Sequence, residues 1–157
     1  MTREEFLADA KEAALAASAA SGLPAGITVA QAALESRWGA SELSRRANNY
    51  FGIKAHGKHA AIEMPTTEVV NGAARKVSAR FAAYADMKEC FADRDRIILT
   101  GSAYAEARAN AGDPEEFARA LAKHWATDPQ YAEKLLRVYR ENGLERLDAS
   151  HPAGTLE

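Results

Sequence analysis

Ala30-Gln31-Ala32-Ala33-Leu34-Glu35-Ser36-Arg37-Trp38-Gly39-Ala40-Ser41 is the stretch on which the reading of this chain turns. Its first half is apolar and small, continuing a run that carries Ile27, Ala30, Gln31 and Leu34 at helical spacing. A carboxyl, Glu35, stands at the end of that run, and Gly39 closes it. A carboxyl at the end of an apolar helix sits in a partly dry setting, where burial disfavours the charged form and raises its pKa. Such a group keeps its proton near neutral pH and can give it to a glycosidic oxygen. Position alone favours an ordinary solvated glutamate on the polar face of a helix, since helical glutamates are usually solvated.

Helix signals surround this stretch. Thr2-Arg3-Glu4-Glu5 has the capping-box pattern, and Phe6, Ala10, Ala14 and Leu15 recur at helical spacing up to about Ser21, before Gly22. Pro24 opens the helix that reaches Glu35, and Ser41 caps a short helix holding Leu43. Asn48-Asn49-Tyr50-Phe51-Gly52 reads as a turn. Two strands follow, 61–70 and 75–81, joined across Asn71-Gly72, a strong hairpin signal. Beyond them, 87–100 is an amphipathic helix, Asp113-Pro114-Glu115-Glu116 starts another, and Asp128-Pro129 starts a last one that buries Tyr131, Leu135, Leu136 and Tyr139. The fold class is α+β, mostly α, with one small hairpin. Residues 1–149 form a single domain and 150–157 a flexible tail.

Composition narrows the function classes. The 157 residues fit one domain, 47% are hydrophobic and 27% charged, and the formal net charge is -2. Basic clusters such as Arg45-Arg46 are short and interrupted by acids, so no stripe exists for nucleic acid. Cys90 is the only cysteine, which excludes an intrachain disulfide and cysteine-based zinc sets, and it reads as a core residue. His56, His59, His124 and His151 form no i, i+4 pair with a helical acid, so neither metal nor cofactor is expected. No apolar run is long enough for membrane insertion, and the alanine-rich, acid-bearing N-terminus lacks the pattern of a signal peptide.

The block from Ala30 to Ser41, followed by Asn48-Asn49-Tyr50-Phe51-Gly52-Ile53-Lys54, resembles glycoside hydrolase family 73, the bacterial and phage endo-β-N-acetylglucosaminidases that include the flagellar rod-associated wall hydrolases. Thr66-Thr67-Glu68 through Asn71-Gly72 to Phe81 and Tyr84 matches as well, as does Ala126-Thr127-Asp128-Pro129-Gln130-Tyr131-Ala132. The resemblance runs from about Phe6 to Leu147.

The resemblance implies a lysozyme-like helical lobe, a β-hairpin lobe and a cleft between them. It implies that the chain cleaves the β-1,4 bond between N-acetylglucosamine and N-acetylmuramic acid in peptidoglycan glycan strands. Glu35 is then the general acid, and Glu68 the second carboxylate, activating water or orienting the substrate's acetamide; both routes stay open. Asn49, Tyr50, Phe51, Tyr84 and Trp125 are candidates for contact with sugar, since sugar rings stack on flat side chains. Trp125 is where the chain departs from the family, which usually has tyrosine before Ala-Thr-Asp. The indole N–H can only donate, so it replaces one half of a hydroxyl's capacity.

A lysozyme or lytic transglycosylase of the same fold is the nearest alternative, and a non-catalytic wall-binding module or a helical interaction domain the more distant ones. Asn49-Tyr50-Phe51-Gly52 stands where transglycosylases typically continue into Gly-Leu-Met-Gln. An enzyme made in the cytoplasm that acts on the wall, in the periplasm or outside, calls for a holin, a phage tail or an export machine, and an injected effector calls for an immunity partner.

Overall fold

The computed structural model describes residues 1–149; the tail expected over 150–157 lies outside the described residues. Helix α1 (Arg3–Ser21) begins with the capping box, Thr2 N donating to Glu5 Oε1 at 2.7 Å and Glu5 N to Thr2 Oγ1 at 3.0 Å, and ends where Gly22 takes φ 76°. Helix α2 (Ala25–Ser36) is buried along nearly its whole length, because its alanines and Gly26 leave room for neighbours on every side. It stops at Ser36 rather than Gly39. Arg37 already turns left-handed at φ 51°, its N–H donating back to Ala33 O, and Trp38 and Gly39 follow in the same region. Helix α3 (Glu42–Ala47) is capped by Ser41 as expected.

The hairpin pairs β1 (Ala61–Val70) with β2 (Ala73–Ala82), antiparallel, Val70 opposite Ala73. The second strand starts two residues earlier than its periodicity indicates, because Asn71 and Gly72 both take positive φ (54° and 80°) and close a two-residue turn. The hairpin is largely exposed. Only Met64 and Ala82 are buried, and Val77, Ala79 and Phe81 are half-buried on one face.

Helices α4 (Met87–Thr100), α5 (Ala105–Ala109), α6 (Pro114–Trp125), α7 (Tyr131–Glu141) and α8 (Glu145–Ala149) complete the described residues, with a 3-10 turn at Ser102–Tyr104. Asp128-Pro129 does not begin α7. Asp128 instead caps a tight turn, its carboxylate accepting from Gln130 N at 2.8 Å and its carbonyl from Tyr131 N at 3.1 Å, and the helix proper starts at Tyr131. Phe6, Ile27, Phe91, Phe117, Leu121, Leu135 and Leu144 are fully enclosed, so one core joins α1, α2, α4, α6, α7 and the segment before α8. Among the described residues no helix is long and apolar enough to cross a membrane.

Candidate active site

Glu35 lies in the last turn of α2 and is half-buried. Burial raises its carboxyl pKa above the ordinary value, partly opposed by a hydrogen bond from Tyr131. That bond, Tyr131 Oη to Glu35 Oε2 at 2.6 Å, spans 96 residues of sequence. It exists because α7 packs along α2 and presents its first residue to the end of α2. Tyr131 is itself buried, and burial, first, and the neighbouring Glu35 push its phenol well above the usual range, so it stays a donor. Behind it, Gln31 Nε2 donates to Tyr131 Oη at 3.3 Å, and the fully buried Arg94 donates from Nε to Gln31 Oε1 at 3.0 Å. Arg94 Nη1 reaches Thr28 Oγ1 and Asp95 Oδ1, both at 2.8 Å. The rings of Phe51 and Phe117, 5.6 and 6.0 Å from Cζ, face the rest of its charge.

Neither Tyr131 nor Arg94 stood out in the sequence as a partner of the acid. Periodicity places Tyr131 on the buried face of its helix, but which polar group its hydroxyl meets is decided by a helix packed from the far end of the chain. Arg94 carries even less signal, since an arginine in an amphipathic helix is ordinarily solvated.

The other expected site residues are placed as follows. Glu68 lies on the exposed part of β1 and pairs with Lys54 Nζ at 3.1 Å. Trp125, half-buried, ends α6 and packs edge-on to Phe51 at 6.4 Å and against Tyr104 at 6.0 Å. Asn49, Tyr50, Phe51 and Tyr84 are all buried. The amide of Asn49 is fully committed, donating to Ile53 O and Ala82 O and accepting from Phe51 N and Ile53 N. Tyr50 packs on Phe6 and Phe91, and Phe51 on Phe91 and Trp125. Tyr84 donates to Asp93 Oδ2 at 2.6 Å. All four are enclosed in the core, where the sequence points them at sugar. Cys90 is buried and its thiol pushed up to about 12, mainly by that burial, which leaves it an unreactive core residue.

Asp93 anchors a second polar cluster. Besides Tyr84 it meets His56 Nε2 at 2.9 Å, His59 Nε2 at 3.8 Å and Arg96 at 2.9 Å. His56, His59 and Asp93 place ligand-type atoms within 4.8 Å of one another. The donor set nevertheless argues against a metal. Arg96 Nη2 faces His56 Nδ1 at 3.4 Å, and a guanidinium only donates, so Nδ1 accepts and Nε2 carries the proton turned to Asp93. A metal on Nε2 would require a proton on Nδ1, set against the guanidinium donors. The cluster is a hub that ties the 53–60 loop to α4.

Residues 11–144 match the family model described as mannosyl-glycoprotein endo-beta-N-acetylglucosaminidase. The chain is 36% identical to the exo-glucosaminidase LytG of Bacillus subtilis over 132 residues, covering 81% of this chain and 47% of the relative. It is 39% identical to the peptidoglycan hydrolase FlgJ of Escherichia coli over 143 residues, covering 87% of this chain and 45% of the relative. This chain thus spans about half the length of the curated relatives it matches. In three dimensions it is similar to the catalytic domain of the autolysin Auto from Listeria monocytogenes, with TM-score 0.84, 30% identity, and 93% of this chain and 87% of that one covered.

Proposed function

Since the chain belongs to the glucosaminidase family, glycoside hydrolase family 73, we propose that it cleaves peptidoglycan glycan strands at the β-1,4 bond between N-acetylglucosamine and N-acetylmuramic acid, with Glu35 as the general acid. The observation that carries this reading is the state of Glu35: a carboxyl held above its ordinary pKa by burial, with one oxygen bonded to Tyr131 and no protein partner for the other among the described residues. That is the state of an acid poised to protonate a leaving oxygen.

Glu68 is the second carboxylate in this reading. It stands on the exposed part of the hairpin, paired with Lys54, on the side of a sugar held between hairpin and helices. It activates the attacking water or orients the acetamide that attacks in its place. Trp125 offers the half-exposed aromatic surface for a sugar ring, and its packing on Phe51 and Tyr104 fixes the angle of the indole. Action on the wall places the working site outside the cytoplasm.

The test is digestion of purified cell walls followed by analysis of the new ends. Reducing N-acetylglucosamine ends are expected. Reducing muramic ends would assign the bond to a muramidase, and anhydro-muramic ends to a transglycosylase. Glu35→Gln keeps the side-chain volume without an acidic proton and is expected to lower turnover by ~10²–10⁴-fold. Retention of more than about a tenth of the activity would remove Glu35 from the role.

A further inference from the structure

The hydrogen bonds behind Glu35 run one way only. Arg94 is a donor and nothing else, so the atom of Gln31 that faces its Nε at 3.0 Å is the carbonyl oxygen. The amide orientation of Gln31 is thereby fixed, and its NH₂ faces Tyr131 Oη at 3.3 Å as a donor. Tyr131 Oη accepts there, so its own proton points away from Gln31, toward Glu35 Oε2 at 2.6 Å. Arg94 is held in turn by Thr28 and by Asp95, whose second oxygen accepts from Ser21 Oγ at 2.7 Å. Every group in this chain is buried or half-buried, so water does not compete for the bonds and the direction persists.

We propose that Gln31 and Arg94 are positioning residues for proton transfer at Glu35: the chain Arg94→Gln31→Tyr131→Glu35 reserves Oε2 as an acceptor and places the transferable proton on Oε1. A proton on Oε2 would meet the Tyr131 O–H head-on. To avoid it Tyr131 would have to turn toward Gln31, whose NH₂ is also a donor. On transfer, the proton leaves Oε1 for the glycosidic oxygen, and the electron pair of the breaking C–O bond goes with that oxygen. Glu35 becomes a carboxylate whose Oε2 already holds a donor. The hydrolytic water supplies the hydroxyl to the sugar and, in net, the proton that restores Glu35. The inference rests on the general-acid reading of Glu35, but the position of the proton is measurable without turnover.

The first measurement uses the unaltered protein. In the infrared difference spectrum of ¹³C-glutamate-labelled protein against Glu35→Gln, protonated Glu35 should show a carbonyl stretch lowered by a hydrogen bond to its C=O, and Tyr131→Phe should shift it up. A free carbonyl stretch in the wild-type chain would overturn the proposal. The second measurement is a double-mutant cycle read by ¹³C NMR titration of Glu35. Gln31→Met frees the Tyr131 hydroxyl to accept from Oε2, which should raise the Glu35 titration point and lower kcat about tenfold, with KM changed less than about twofold. In a Tyr131→Phe background Gln31→Met should add nothing. Equal shifts in both backgrounds, or none in either, would reduce Gln31 to a packing residue. Should Gln31→Met not fold, the infrared result still decides. If Glu35→Gln stayed active the catalytic assignment would fail, while both spectroscopic readouts would still judge the chain.

Discussion

Glu35 shows how one residue's setting shifts its ionisation and costs stability together. Its folded pKa lies above the ordinary 4.5 because burial outweighs the Tyr131 hydrogen bond. Below pH 4.5 the carboxyl is protonated folded or unfolded, and it favours neither state. As pH rises through the folded pKa, the native protein must carry a partly dehydrated carboxylate that the unfolded chain solvates freely, so stability falls. Glu35→Gln carries no such charge and can still accept from Tyr131. The variant is therefore expected to be more stable than the wild type at pH 7 to 8, with the gap closing as pH falls through the folded pKa toward the ordinary 4.5. Thermal melts of both proteins across that range check it. A gap independent of pH would mean that Glu35 titrates as an ordinary surface carboxyl.

Among the elements, the 53–60 loop is tied to α4 through a buried carboxylate, Asp93. Burial acts to raise the Asp93 pKa, but the hydrogen bonds from Tyr84, Arg96 and His56 together outweigh it and hold the group below its ordinary 3.8. A depressed carboxyl stabilises the fold above its unfolded pKa, and that contribution disappears as pH falls through the folded value. Asp93→Ala leaves Tyr84 Oη buried without its acceptor and frees both histidines. We expect a loss of about 2 kcal/mol at pH 7 by denaturant unfolding, the order of a hydrogen-bonded charged group, and a smaller loss below pH 3.8. Hydrogen exchange should rise in the 53–60 loop before it rises in α1. Elements of this kind mark the limit of what the sequence makes legible. The hairpin turn, the Ser41 cap and α4 follow from local pattern, because turn residues, caps and periodicity are local. The end of α2 at Arg37 and the start of α7 at Tyr131 do not, because non-glycine residues there adopt left-handed or turn geometry under tertiary packing. The apolar run around Glu35 is legible, and its half-burial follows from it, but its hydrogen-bond partner Tyr131 and the Arg94 behind it are not, since they come from other helices.

At the scale of the molecule, the site depends on how closely α2 approaches the C-terminal helices. Gly26 sits where a Cβ would lie 2.3 Å from the carbonyl oxygen of Leu144, 2.7 Å from Asp148 Oδ2 and 2.8 Å from the Tyr139 ring. A backbone oxygen cannot step aside as a flexible side chain can. The same contact is fastened by Gly26 N donating to Asp148 Oδ1 at 3.0 Å and Tyr139 Oη to Asp148 Oδ2 at 2.8 Å. Glu35 and Tyr131 lie on these same two packed helices, α2 and α7, and their 2.6 Å bond has little tolerance for a shift between them. Gly26→Ala is therefore expected to cost about 1–3 kcal/mol of stability, the usual range for an overpacked core. Its effect on turnover should be larger than stability explains. At a temperature where the variant is fully folded, kcat should fall while KM holds, and the Glu35 titration should move upward as Tyr131 withdraws. A variant folded and fully active would show that the α2–α7 spacing adjusts without consequence for the acid. A loss of activity that merely tracked the folded fraction would confine Gly26 to packing.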